Sequence, residues 1–492
     1  MRAIWFVPLL ALAGCTDTET RNTSELAPLQ GSWRVEQISP YVRSPSELCL
    51  FTLREDSTLA LSLIFETAPR SRVWTPDLDV TYRTGKILWD DHEASLSESR
   101  DTMTVLRSSR GEATAWRYVR QRSADSLMAA LQSSGGDAPP YTVPIICDDG
   151  WLCADMAAAG VGKAGITRLI ERIRNGKHGD IHSFLLAKDS LLVVEEYFAD
   201  NGRKYGPFVT RLFRERPHHL ASTTKAFTST LVGIAIDRGF IKDTEEPIYT
   251  YLPAYASSFS EEKKRIRISH MLTMTPGFEW RQFGVSDDRN DGMAMWGTDD
   301  VIRYVLQKPL ETRPGEVFNY TNGVPTVMGA VIKNATGVDV TAFAEESLFR
   351  PLGISRFVWT SYPDGSLETD GGLALRSRDL AKLGQLFLNR GVWHGQRIVS
   401  EEWIHESTRE RLRFGKSLRW GYGLYWMQAD TKVNGKMVHS FFAPGDGNQI
   451  LAVFPDLHVV VVFTAGTYGK DPKPSYYELF EEFILPAVMP RS

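Results

Sequence analysis

In the stretch LASTTKAF, Leu220 to Phe227, a serine and a lysine stand three positions apart, Ser222 and Lys225. At that spacing on a first helical turn the two side chains share a face and come within reach of each other. A serine hydroxyl is a weak nucleophile until a base takes its proton. Lysine is such a base only when neutral, and desolvation and the positive end of a helix dipole both favour that form. The continuation AFTSTLVGIAI is apolar on nearly every side, so the helix is expected to be buried and to supply the desolvation. The spacing alone is not diagnostic. Ser222, Thr223 and Thr224 are all good helix caps, and Ser260-Glu261-Glu262-Lys263 repeats the pattern in a charged, solvated run.

A second constellation lies about a hundred residues on, in ETRPGEVFNYTNGVPTVMGAVI. Pro314-Gly315 sets a turn and Gly323-Val324-Pro325 starts a helix, so Tyr320 and Asn322 fall on a short loop of the kind that presents side chains into a cleft. A tyrosine beside Lys225 can relay the serine proton to a leaving group. Asn322 can hold a substrate amide or carbonyl, or orient the lysine.

Together these motifs identify a resemblance. From roughly Asp148 to Pro486 the chain resembles the serine β-lactamase and penicillin-binding-protein superfamily, specifically its class C β-lactamase-related group of esterases, amidases and peptidases. The likeness extends to LVGIAIDRGFI, RIRISHMLTMTPGFEW and DGGLALRSRDLAKLGQLFLNRG. The resemblance implies Ser222 as nucleophile, Lys225 as its activating base, Tyr320 as partner acid/base and Asn322 as a substrate contact, with no metal or organic cofactor. The family's third motif is a strand-borne Lys or His, then Ser or Thr, then Gly. Here the strand MVHSFFAPGDGNQ aligns Ala443-Pro444-Gly445, which keeps the glycine and loses the cation and the hydroxyl. Recognition of a substrate carboxylate is thereby put in doubt. Acyl transfer is not, because an oxyanion hole uses backbone N–H groups, here expected from Ser222 and from Asp446 beside Gly445. Pro444 has no N–H, which fits a donor one step beyond the glycine.

The expected activity is cleavage of an ester or amide bond in a small-molecule or peptide substrate through an acyl-enzyme on Ser222. The close alternative is a β-lactamase or D-amino-acid peptidase. A rival of another class is a non-catalytic envelope lipoprotein that binds a ligand.

The elements that must position these residues are legible along the chain. A helix is expected near Gly165 to Asn175, followed by the hairpin HSFLLAKDSLLVVEEYF. Two further strands, NQILAVF and LHVVVVFTAG, appear only near the end, before a helix from Ser475 to Ala487. The middle is mostly helical, including Thr224 to Gly239 and Asp379 to Asn389. Strands from both ends should meet in one antiparallel sheet with a helix-rich insertion beside it, and the cleft between the two is where a site is expected. The fold class is thus α/β (α+β), β-lactamase-like: an antiparallel sheet flanked by helices plus a helical subdomain.

Ahead of it, short alternating runs from Gly31 to about Arg120 form a small all-β domain. Its opening Gly31-Ser32-Trp33 and closing Trp116-Arg117-Tyr118 resemble the ends of lipocalin-like barrels. The expected division is a signal peptide and lipobox over 1–15, a tether over 16–26, the β-barrel-like domain over 27–125, a linker over 126–144 and the hydrolase domain over 145–492.

The first residues, MRAIWFVPLLALAGC, join one charge to an apolar run too short to span a bilayer, which reads as a secretion signal. Leu12-Ala13-Gly14-Cys15 resembles a bacterial lipobox, with Cys15 the lipidated residue. The mature chain is then expected at the bacterial cell envelope, anchored to a membrane by lipid alone and facing the periplasm or exterior. With 56 basic and 60 acidic residues the chain has no electrostatic footprint for nucleic acid. Beyond Cys15, the cysteines are Cys49, Cys147 and Cys153, and the last two can close a small loop in CDDGWLC; their spacing matches no zinc pattern. His218, His219 and His270 read as structural or surface residues, since Lys225 already supplies a base. Trp280 reads equally as cleft wall or core. AAAGVGKAG lacks the first glycine, the following Ser or Thr and the preceding strand of a phosphate loop.

Overall fold

A computed structural model describes residues 141–198, 214–286, 289–414, 420–468 and 476–489, together with the backbone of nine strands between residues 31 and 120. It divides into two units, Met1–Ala129 and Ala130–Ser492.

In the first unit the strands are β1 Gly31–Ile38, β2 Leu48–Leu53, β3 Leu59–Ile64, β4 Val73–Trp74, β5 Thr81–Arg83, β6 Lys86–Trp89, β7 His92–Leu96, β8 Thr102–Ser109 and β9 Glu112–Arg120. They pair in the order β4-β3-β2-β1-β9-β8-β7-β6-β5. The first and last strands are neighbours, with Ile38 opposite Trp116. Cys15, the tether and Cys49's side chain lie outside the described residues.

The second unit is built on another nine-stranded sheet. Its strands are β10 Leu152–Cys153, β11 Ile181–Lys188, β12 Leu191–Tyr197, β18 Leu412–Phe414, β19 Trp420–Tyr422, β20 Met427–Val433, β21 Lys436–Gly445, β22 Gln449–Phe454 and β23 Val459–Ala465. Between them in sequence lie β13 His218–His219, β14 Phe357–Trp359 and β15 Leu373–Leu375, which form a separate small sheet, and the hairpin β16 Val392–Trp393 and β17 Gln396–Arg397. The large sheet runs β10-β12-β11-β23-β22-β21-β20-β19-β18. The early hairpin meets the last strand as expected, Phe184 opposite Phe463. The sheet is antiparallel except at its edge, where the two-residue β10 runs parallel to β12. That strand is too short to carry a period in sequence.

Alternation along the strands fills both faces. Leu185, Ala187, Val460 and Val462 face one core, and Phe184, Leu186, Val461 and Phe463 the other. The first core contains the helices α2 Thr224–Asp237, α3 Gly323–Thr336 and α4 Ser377–Leu388; the second contains α1 Lys163–Arg174 and the C-terminal helical segment. That segment, expected as one helix over Ser475 to Ala487, is α-helical at Tyr476–Leu479, widens to a π turn at Phe480–Ile484 and resumes at Leu485–Val488. Pro486 explains the widening, because it lacks an N–H and its ring crowds the carbonyl one turn back.

Cys147 and Cys153 are free thiols, with Sγ atoms 3.8 and 3.3 Å from the Ile145 carbonyl oxygen, so the loop between them is unbridged. Among the described residues no helix is long and apolar enough to cross a membrane.

Candidate active site

The serine sits at a bend. Ala221 adopts a left-handed backbone, φ 47°, which is strained for a residue carrying a Cβ. It turns the chain out of β13 into the 3-10 turn Ala221–Thr223, which continues as α2. Of residues 220–235, Ser222 is the one that is not buried. Lys225 is 2% exposed. Its Nζ donates to Ser222 Oγ at 2.9 Å and to the Asp370 carbonyl oxygen at 2.7 Å. The ring of Tyr320 covers the same amine, its centroid 5.1 Å from Nζ.

Tyr320 and Asn322 are half-buried on either side of the buried Thr321. Their loop is pinned by backbone-directed bonds: Asn319 N–H donates to the Met274 carbonyl at 2.9 Å, and Thr321 Oγ1 to the Asn319 carbonyl at 2.9 Å. The Asn322 N–H donates to Gln282 Oε1 at 3.1 Å, and that oxygen also accepts from Trp280 Nε1 at 3.0 Å. Trp280 is therefore a buried residue that holds the site's loop from behind rather than a cleft wall. Asn322 Oδ1 is buried without a hydrogen-bond partner among the described residues, and so is the hydroxyl of Tyr425. Burial, with the neighbouring Tyr422 and Tyr320, pushes the Tyr425 phenol well above its ordinary value, so it is a neutral donor. Lysine orientation falls to the Asp370 carbonyl, not to Asn322.

The end of β21 closes the other side. It pairs with β20 only as far as Phe442 but with β22 through Gly445. The flank left open is taken by the serine turn: Thr223 Oγ1 donates to the Ala443 carbonyl at 3.1 Å, and Gly445 lies against the Leu220 carbonyl. A Cβ at Gly445 would collide with that carbonyl oxygen and stand 3.0 Å from Thr223 Oγ1, so close approach requires glycine. Pro444, which cannot donate, sits where only one neighbouring strand remains. Asp446 follows directly and reaches the same region, where its charge acts on His219.

The histidines are otherwise engaged. His218 Nε2 lies 2.8 Å from His182 Nδ1, and its Nδ1 is 2.9 Å from the His219 carbonyl. Burial and His182 push its imidazole down to about 3, so it is neutral at physiological pH. His270 Nδ1 accepts the Arg267 N–H at 3.2 Å and caps the short helix Ile268–Leu272.

Sequence reasoning named Ser222, Lys225, Tyr320, Asn322, Gly445 and Asp446, but it missed Asp370 and Gln282. Asp370 acts through a carbonyl that no side-chain motif records. Its own carboxylate is buried and accepts from Tyr362 OH at 2.7 Å and Thr326 Oγ1 at 3.3 Å.

A sheet between helical layers, with a serine at the head of a buried helix packed against the end of β21, places the chain among proteins of the β-lactamase-like α/β fold. Residues 183–479, more than half of the chain, match the family model described as Beta-lactamase, and the chain belongs to that family. It is 25% identical over 233 residues to a 6-aminohexanoate-dimer hydrolase of Paenarthrobacter ureafaciens, a match covering 45% of this chain and 55% of that one. It is 27% identical over 146 residues to the D-alanyl-D-alanine-carboxypeptidase/endopeptidase AmpH of Escherichia coli K12, covering 30% of this chain and 37% of the relative. The chain thus spans about half or less of the length of these curated relatives. Among solved structures, a family VIII carboxylesterase superposes with TM-score 0.52 at 18% identity, covering 66% of this chain and 98% of that one. A penicillin-binding protein homologue from Caulobacter crescentus gives TM-score 0.52 at 16% identity, covering 71% and 100%.

Proposed function

We propose that the chain is a serine hydrolase that cleaves an ester or amide bond of a small molecule or peptide through an acyl-enzyme on Ser222. The observation that carries this reading is the 2.9 Å contact between the amine of a buried lysine and the one hydroxyl of its helix start that reaches solvent. In the proposed reaction the amine of Lys225 takes the Ser222 proton as Oγ attacks the carbonyl carbon. The N–H groups of Ser222 and Asp446 hold the oxyanion. Tyr320, over the same amine, returns the proton to the leaving group, and water then releases the acyl-enzyme by the reverse route. Asn322 Oδ1 and the Tyr425 hydroxyl are an acceptor and a donor for the substrate's amide or ester group. The names of the two curated relatives, a dimer hydrolase and a carboxypeptidase/endopeptidase, agree with hydrolysis at an acyl centre.

Ala443 and Pro444 supply neither cation nor hydroxyl, which favours uncharged esters and amides over β-lactams and D-amino-acid peptides. The test is a fluorophosphonate probe followed by peptide mapping, alongside turnover of esters, short amides, D-amino-acid peptides and a β-lactam reporter. Adduct on Ser222 and ester turnover abolished by Ser222→Ala are the expected results. A pure, folded protein that takes no label sinks the reading in favour of a binding module, and acylation by the β-lactam reporter moves it to the penicillin-recognising alternative.

We further propose export and lipid attachment at Cys15, with the N-terminal strands forming a lipocalin-like module that binds a ligand or spaces the hydrolase from the membrane. Mass spectrometry of the mature N-terminus, with Cys15→Ser as control, tests the anchor: an unmodified Cys15 rules it out.

A further inference from the structure

The turn that carries Asp446 is braced from outside the cleft by one buried side chain. Gly447 and Asn448, left-handed at φ 75° and 67°, reverse the chain between β21 and β22. Gln449 opens β22 and is 1% exposed. Its Oε1 accepts the Ala465 N–H at 3.1 Å, and its Nε2 donates to the Ala465 carbonyl at 2.7 Å and to the Asp446 carbonyl at 3.1 Å. The amide thus pairs with the end of β23 as a backbone rung would and directs its other N–H at the turn. Gln449 also pairs in register with Gly445. Asp446 is therefore gripped from both sides, by backbone pairing before it and by a side chain after it. The packing leaves no slack. A Cβ at Gly447 would lie 2.9 Å from Gln449 Nε2, and one at Gly445 would lie 2.9 Å from Gln449 Cβ while striking the Leu220 carbonyl of the serine turn. The next two carbonyls are held as well: that of Gly447 accepts the Thr467 N–H at 3.1 Å, and that of Asn448 accepts the Tyr476 hydroxyl.

We propose that Gln449 is a positioning residue: its side-chain amide fixes the backbone of Asp446, and with it the N–H that holds the oxyanion formed when Ser222 attacks. This rests on the acyl-transfer reading given above, with Asp446 as one of the two donors. Gln449 itself touches no substrate. With the carbonyls of Asp446, Gly447 and Asn448 each taken by a group outside the turn, no peptide of the turn can rotate without losing a bond. That rigidity matters because an oxyanion donor works only at about 2.7–3.1 Å from the charged oxygen, and a misplacement of about 1 Å can cost about a hundredfold in rate. A turn built on a glycine and a left-handed asparagine does not hold such a tolerance by itself.

The test compares kcat/KM for an ester with that for the matching thionoester, in which sulfur replaces the carbonyl oxygen, in the wild type, Q449L and Q449N. Sulfur is a weak acceptor, so the advantage of the oxygen ester reports the oxyanion donors. A variant that merely folds less well, or that displaces Lys225, slows both substrates by one factor and leaves their ratio alone. Q449L should lower ester kcat by about ten- to a hundredfold with KM within about twofold of the wild type, and should lower the ester-to-thionoester ratio by about tenfold. A ratio that falls by less than about threefold overturns the proposal, whatever the total rate. Should Q449L not fold, Q449N decides by the same ratio, since its amide is one methylene too short to bridge Ala465 and Asp446. Fluorophosphonate labelling with mapping of the adduct separates the two readings. No adduct on Ser222 in the wild type overturns the acyl-transfer reading and this inference with it, whereas an adduct on Ser222 with an unmoved ratio in the variants overturns only the inference.

Discussion

Lys225 is held by one side-chain acceptor and one backbone acceptor, and the two contacts can be separated. Lys225→Met keeps an apolar stem of similar length in the buried slot and deletes the amine. Ester kcat should fall by about 10²- to 10⁴-fold, the range for loss of a positioned general base, with KM nearly unchanged. Steady-state kinetics check this, and a thermal melt guards against misfolding. At this scale the sequence was informative wherever a side chain has a part in the proposed chemistry: Ser222, Lys225, Tyr320 and Asn322 are recorded as letters at recognisable spacing. The Asp370 carbonyl is not, because every residue has one and only the fold selects which points at the amine. Gln282 was hidden for a related reason, since it matters through Asn322, a neighbour remote in sequence.

The elements carry the site by close approach. Gly445→Ala would set a methyl against the Leu220 carbonyl and force the end of β21 away from the serine turn. It should cost about 1–3 kcal/mol of stability, the usual penalty of overpacking, and slow Ser222 labelling more than tenfold if an Asp446 N–H is an oxyanion donor. A urea melt reads the first effect and probe kinetics the second. On the opposite side, Phe283 is 73% exposed with its ring 5.8 Å from that of Tyr320, an apolar surface at the mouth of the site. Phe283→Ala should lower kcat/KM for long or aromatic acyl esters about five- to thirtyfold, about 1–2 kcal/mol of lost apolar contact, and leave acetyl esters unaffected. An acyl-chain series measures it. The buried helix behind Ser222 and the strands β11, β12, β22 and β23 were legible from hydrophobic period alone. The parallel β10 and the π turn before Pro486 were not, being set by two-residue pairing and a single missing N–H.

Across the whole hydrolase unit, α4 is tied to the sheet and to the segment before it by buried charge. Arg378 donates to Asp149 at 2.6 and 3.0 Å and to Glu195 at 2.8 Å, and its carbonyl accepts from Trp151 Nε1 at 3.0 Å. Arg378→Met leaves two carboxylates buried without that partner and should cost about 3–5 kcal/mol. Burial raises the Asp149 carboxyl, but the hydrogen bonds and charge of Arg378 outweigh it and leave the group below its usual value. Stability from this pair is therefore complete above the unfolded aspartate value of about 4 and is lost as pH falls through the lower, folded one. Denaturant midpoints between pH 2 and 7 should show that loss, and Asp149→Asn should flatten it. The sheet's closure has a different consequence. Phe184 pairs with Phe463 across more than half of the chain, and β21, the wall that faces Ser222, pairs with β22, which in turn pairs with β23. A growing chain thus carries its serine and lysine long before it has the wall against which they work. Such high contact order makes assembly slow and post-translational. On the proposed reading the nucleophile stays incompetent through synthesis, and reactivity arrives only with the last strand.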